Sequence, residues 1–139
     1  MPKSTSTTAR CGKEQAKQRL AQAEAFLFVA KLVHEEPDDA VLPRRGVSAA
    51  LAVLAGIAGA DAMCCARLGK VHRGQDHAAA VDLVGTVFPE GVNAAPDLLR
   101  LIGLKDKAHY QWQMVSPSEA KSAVAQAERI VELARQVVN

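Results

Sequence analysis

Residues 61–77 read D-A-M-C-C-A-R-L-G-K-V-H-R-G-Q-D-H and hold two His, two Arg, one Lys and two Asp within seventeen positions. These types suit chemistry on an anion. Imidazole titrates near neutral pH and serves as acid or base. Guanidinium stays charged and offers phosphate a two-pronged fork. The candidate catalytic residues are therefore His72, His77, Arg67 and Arg73, with Lys70 as added positive charge. A plainer reading stands beside this one: cations at a helix C-terminus favour the helix dipole and need no substrate. Asp76 sits where an N-cap belongs, ahead of His77, so a cap and a catalytic acid are both open. Asp61 is a lone carboxylate in an apolar run, costly unless it is paired or faces a cleft. Asp61 and Asp76 together are candidates for a polar pocket. Cys64 and Cys65 with His72 and His77 lack any C-x-x-C spacing, so no metal is expected, and no other cofactor is called for.

The elements that must position these residues are helical. The chain has 139 residues, 49% hydrophobic and 23% charged, with only 4% aromatic. That is one domain of ordinary soluble composition. An apolar share made of Ala, Val and Leu favours closely packed helices over a sheet sandwich. The expected fold class is all-α, an up-and-down bundle of about five helices with no strand. A disordered tail is expected over residues 1–12 and a single bundle over 13–139. A first helix over 13–36 carries Leu20, Ala23, Leu27 and Ala30 on one stripe. A second over 47–68 is apolar nearly all round, hence central, with Gly56 and Gly59 allowing close approach. Its apolar run is too short and too rich in small residues to span a bilayer, so no membrane is involved. Gly69 and Gly74 frame a turn. A third helix covers 77–88, and a fourth starts at Pro96 and reaches toward Tyr110. Ser116-Pro117-Ser118-Glu119 is a capping box opening a fifth helix to the chain end.

Net charge is +2, too mild to announce a nucleic-acid binder by bulk. Lys105 and Lys107 add local charge near His109-Tyr110-Gln111-Trp112, where base stacking and packing of the helix end are both open. Three cysteines, Cys11, Cys64 and Cys65, are an odd number, and helix neighbours point about 100° apart, so no disulfide framework is expected. A reducing cytoplasm is the simplest setting.

Three motifs taken in order resemble the HEPN family of small helical bundles. A-G-A-D-A-M-C-C-A-R-L-G is similar to a family helix that often reads A-Y-Y-A-M-F-H-A-A, with Asp61 and Ala62 in place of the central aromatics. G-Q-D-H-A-A-A-V sits where many members carry K-T-H-x-G-V. L-K-D-K-A-H-Y-Q-W-Q-M-V-S-P-S-E-A is similar to R-x-x-A-D-Y followed by V-S-x-E-E-A, with Lys105 for the Arg and His109 for the Asp. With the first helix the likeness spans most of residues 13–138. It implies a helical bundle, a homodimer and RNA as target. Many members are metal-independent ribonucleases, including toxins paired with a minimal nucleotidyltransferase antitoxin. Their signature is Arg, four to six residues, then His. Arg67 to His72 has four intervening residues and fits; Arg73 to His77 has three. Neither begins with the Arg-Asn or Arg-Asp common in active members. Other members lack the signature and act as binding or accessory modules. An RNA-directed toxin-type endoribonuclease is thus the leading expectation. A non-catalytic module binding a protein or nucleotide is the rival, and an antitoxin-like or DNA-associated accessory protein is a third.

Overall fold

The computed structural model describes residues 8–35, 44–74, 76–109 and 115–139. Its elements in chain order are β1 (Thr8–Arg10), α1 (Lys13–Glu35), α2 (Arg44–Leu68), β2 (Lys70–His72), α3 (His77–Gly85), α4 (Glu90–His109) and α5 (Pro117–Val138). The expected all-α bundle of five helices is what the chain forms.

α2 is the axis of the molecule, packed against α1, α5 and α4. By length and composition it is apolar enough to cross a membrane, but 67% of its apolar window is buried among the other helices. Small residues make that burial possible. A Cβ on Gly56 would run into Leu101 of α4 and press on Ile130 of α5, and one on Gly59 would sit 3.0 Å from Ile130. The helices close at these two glycines. Leu101 and Ile130 fill the space against them, and both are fully buried, as are Met63 and Leu98. Each contributes roughly 2–3 kcal/mol of apolar burial. The α1 stripe is buried as its spacing requires, through Leu20, Ala23, Leu27 and Ala30. α5 opens with the expected box: Ser116 Oγ accepts from the Glu119 amide, and the Glu119 carboxylate accepts from the Ser116 amide.

Three expectations are corrected. The third helix stops at Gly85, because Thr86 turns back with both its amide and hydroxyl donating to the Leu83 carbonyl. The fourth starts at Glu90, so Pro96 lies inside α4 instead of opening it. Pro96 is exposed, and losing one amide donor on the solvent side is tolerable when the inner face buries Ala94, Leu98 and Leu101. Finally, Thr8–Arg10 and Lys70–His72 form a two-stranded antiparallel sheet with Thr8 opposite His72, Ala9 opposite Val71 and Arg10 opposite Lys70. Strands of three residues are too short to show period-two patterning, so the chain segment before α1 read as tail. Residues 1–7 of that segment, Tyr110 and Trp112 lie outside the described residues.

Candidate functional site

The site is built by a reversal of the chain at the end of α2. Gly69 has φ +71° and Gly74 φ +107°, conformations that L side chains resist. Gly69 ends α2, β2 runs back along β1, and Gly74 turns the chain into α3. Asp76 caps α3, its carboxylate accepting from the Ala78 and Ala79 amides at 3.1 and 3.3 Å. The cap reading of Asp76 is thus the one the geometry fills. His72 leaves β2 just before the turn and His77 starts α3 just after it.

Both imidazoles line one small cavity of about 110 Å³, together with Asp61, Cys64 and Arg73. Ile57, Leu83, Leu98 and Ile102 give it an apolar floor. Asp61, His72 and Arg73 also border a wider opening of about 510 Å³, walled by Arg10 and Arg19. These three residues therefore stand between an outer basic mouth and an inner pocket.

The two imidazoles differ. The Lys105 ammonium lies 3.2 Å from His77 Nε2. An ammonium only donates, so Nε2 accepts and neutral His77 carries its hydrogen on Nδ1. His72 Nε2 is buried and has no hydrogen-bond partner among the described residues. As donor or as acceptor, Nε2 is thus a polar atom left unanswered in the wall of the cavity.

Asp61 is held from α1. Arg19 Nε and Nη2 donate to the same oxygen, Oδ2, at 3.1 and 2.9 Å. Burial pushes the Asp61 carboxyl above the usual carboxylate range, and the Arg19 charge and hydrogen bond, then the charges of His72 and Arg73, pull against it. Burial, aided by the Asp61 charge, pushes the Cys64 thiol up to about 12. Cys64 is therefore a protonated wall residue at neutral pH. No three His, Cys, Asp or Glu side chains converge as metal ligands among the described residues.

Not every sequence candidate arrives. Arg67 turns away to the α3–α4 junction, donating to the Phe88 carbonyl at 2.7 Å and standing 3.4 Å from Glu90 Oε1. Lys107 is bound to both oxygens of Glu119 at 3.0 and 3.1 Å and so supports the α5 cap. Lys70 is exposed on β2 opposite Arg10. Arg73 is exposed at the cavity with no hydrogen bond or ion pair among the described residues. Sequence reading missed Arg19, 42 positions from its partner. The one available signal was Asp61 itself, a lone carboxylate requiring a cation but not naming it.

The cysteine expectation is also corrected. Cys11 and Cys65 form a disulfide, with their Cα atoms 5.5 Å apart, and Cys64 is free and buried. The reasoning from neighbouring helix positions covered Cys64 and Cys65 only. β1 pairing places Cys11 beside the end of α2, where its amide donates to the Gly69 carbonyl at 3.0 Å.

The assembled groups can hold an anion and move a proton: two imidazoles in different hydrogen-bonding states and, among the described residues, a guanidinium without a partner and a carboxylate with one oxygen to spare. No family model matches this chain, and no characterised protein is significantly similar to it in sequence.

Proposed function

We propose that this chain is a HEPN-like, RNA-directed protein, a metal-independent endoribonuclease whose working cavity is the one shared by Asp61, His72, Arg73 and His77. One observation carries the reading: two imidazoles flank one turn and meet one cavity, one with an open buried Nε2 and the other bound to an ammonium. In this reading His72 Nε2 takes the proton of an RNA 2′-hydroxyl. The freed oxygen attacks phosphorus, the 5′-oxygen leaves, and the Lys105–His77 pair supplies its proton. Arg73 faces the charge that builds on the phosphorane oxygens. The products are a 2′,3′-cyclic phosphate and a 5′-hydroxyl. A two-fold homodimer would set two such groups against one phosphate. An RNA substrate puts the protein's work in the cytoplasm.

A specific observation favours a second reading. Arg67 is occupied by Phe88 and Glu90, so the pair that fits the family spacing, Arg67 with His72, is split. A non-catalytic HEPN module, binding a nucleotide or a protein such as a minimal nucleotidyltransferase, needs the cavity but not that pair.

The test is cleavage of RNA by the purified protein in EDTA, with end-group analysis. The proposal expects cyclic phosphate ends and their loss in His72→Ala. A His72→Ala/His77→Ala double variant that cleaves as well as the parent overturns it. RNA binding without cleavage selects the second reading.

A further inference from the structure

The disulfide lies in the wall of the working cavity. Cys11 and Cys65 both border the opening of about 510 Å³, beside Arg10, Arg19 and Arg73. Cys65 belongs to α2, the fixed axis of the bundle, whereas Cys11 follows a strand of three residues. That strand does one job: it holds β2, and β2 carries His72 opposite Thr8. A two-stranded ribbon of this length is not stable by itself. β2 also packs against α2 and α3, and β1 runs through Gly12 into α1. The bond between Cys11 and Cys65 and the Cys11–Gly69 hydrogen bond are what fasten β1 to the end of α2.

We propose that Cys11 and Cys65 form a reversible thiol–disulfide latch that decides whether β2, and with it His72, is held at the cavity. The inference rests on the cavity being the working site proposed above and adds its regulation. The reactant is a small anionic thiol of the glutathione class. The opening has room for a short peptide, and three guanidiniums at its wall attract the anion and favour the thiolate that attacks. A glutathione thiolate attacks Cys11 Sγ, the more accessible sulfur, since Cys65 is only 5% exposed. A mixed disulfide forms and Cys65 leaves as a thiolate. A second glutathione thiolate attacks the mixed disulfide, forming glutathione disulfide and releasing Cys11. Two electrons pass to the protein, both cysteines take up protons, and oxidation by glutathione disulfide reverses every step. Cys64 does not compete: buried and protonated at neutral pH, it is a poor nucleophile. With the latch open, β1 keeps its backbone link to α1 but loses its cross-link to α2, its pairing with β2 loosens, and His72 shifts from the cavity wall.

The experiment equilibrates the whole protein in glutathione/glutathione-disulfide buffers. Free thiols are counted after alkylation, and amide hydrogen exchange is followed at Lys70–His72 and across α5. The latch predicts a change from one thiol to three. Over the same buffers, exchange at Lys70–His72 accelerates at least tenfold, α5 stays unchanged, and reoxidation restores protection. Cys11→Ser is expected to show the fast exchange in every buffer, and Cys64→Ser to keep the response. A disulfide that resists strongly reducing buffer overturns the proposal. So does reduction with exchange at Lys70–His72 unaltered. These readouts involve no RNA. If they behave as predicted while RNA is never cleaved, the latch stands and the endoribonuclease reading falls.

Discussion

Among the described residues, two aspartate–arginine pairs span helices, and they are built differently. Asp97 on α4 gives one oxygen to Arg129 Nε at 2.9 Å and the other to Arg129 Nη2 at 2.8 Å. Arg100 adds a contact to Oδ1 at 3.3 Å. The Asp97 side chain is 7% exposed, and every charge around it is answered. Asp61 on α2 receives both Arg19 donors on a single oxygen, is 22% exposed, and keeps Oδ1 without a partner among the described residues. The first pair is a closed clamp between α4 and α5. The second is half a clamp with an acceptor turned to a cavity. Two lysines on α4 also differ in partner: Lys107 binds both oxygens of Glu119, and Lys105 stands beside an imidazole nitrogen.

Ligand-binding capacity sits where charges are left unanswered. The groove beside Asp97 is the larger, about 810 Å³, but its charges answer one another. Arg129 holds Asp97, Arg135 holds Glu24 and Glu132, and Glu128 holds Lys31. Nothing there asks for a ligand. At the His72 end the openings are smaller, yet a buried nitrogen, a carboxylate oxygen and a guanidinium are left over. Unmet bonding capacity beside a cavity, not volume, marks the site; the other buried side-chain atoms without a hydrogen bond among the described residues, His34 Nδ1 and Glu90 Oε1, line neither opening.

The largest expected break in this comparison is catalytic. His72→Ala should lower RNA cleavage by about 10²–10⁴-fold, the usual worth of a positioned base, whereas Arg129→Ala in the paired groove should leave the rate unchanged. The readout is single-turnover cleavage in EDTA. The next is stability, with the order reversed. Asp97→Ala removes a saturated buried acceptor and should cost about 2–3 kcal/mol in urea unfolding. Asp61→Asn removes a charge whose burial is only partly repaid, and should change stability by no more than about 0.5 kcal/mol, or raise it. Ser116→Ala, which breaks the α5 box, should cost about 1 kcal/mol in the same measurement.

The smallest effect is a pH slope of opposite sign at the two ends. The Ser116 amide, then Lys107, hold the Glu119 carboxyl below the usual glutamate range. The folded state therefore binds this proton less tightly than the unfolded chain. Glu119 adds stability above pH ~4 that is lost as pH falls through its lowered folded value. Asp61 is raised, so it acts the other way: the folded state binds its proton more tightly, and stability falls as pH climbs through and above the usual carboxylate range. Glu119→Gln should flatten the acid loss of stability and Asp61→Asn should steepen it, read by urea midpoints from pH 3 to pH 6.

How much of this was legible follows from sequence distance. The Ser116–Glu119 box, the Asp76 cap, the turns at Gly69 and Gly74 and the α1 stripe were all readable, because each is decided within a few residues. The clustering of His72, His77 and Arg73 was readable for the same reason. α4 was misplaced at its start because Pro96 is an ordinary opening signal, and its exposed position inside the helix is a tertiary fact. Arg19 with Asp61, and Cys11 with Cys65, join segments 42 and 54 residues apart, and no local pattern announces either. Arg67 misled through spacing: four intervening residues cross Gly69, whose positive φ sends Arg67 and His72 to different neighbours.

The most direct test of the central claim is nitrogen NMR of the two imidazole rings as a non-cleavable RNA, carrying 2′-deoxy at the scissile position, is added in EDTA. Before addition, neutral His77 should show hydrogen on Nδ1, with Nε2 accepting from Lys105. On addition, the His72 Nε2 resonance should move and saturate with the RNA, and Lys105→Met should change the His77 tautomer without silencing the His72 response. Ring nitrogens of His72 and His77 that stay still while RNA shifts signals around Asp97 and Arg129 would contradict the account.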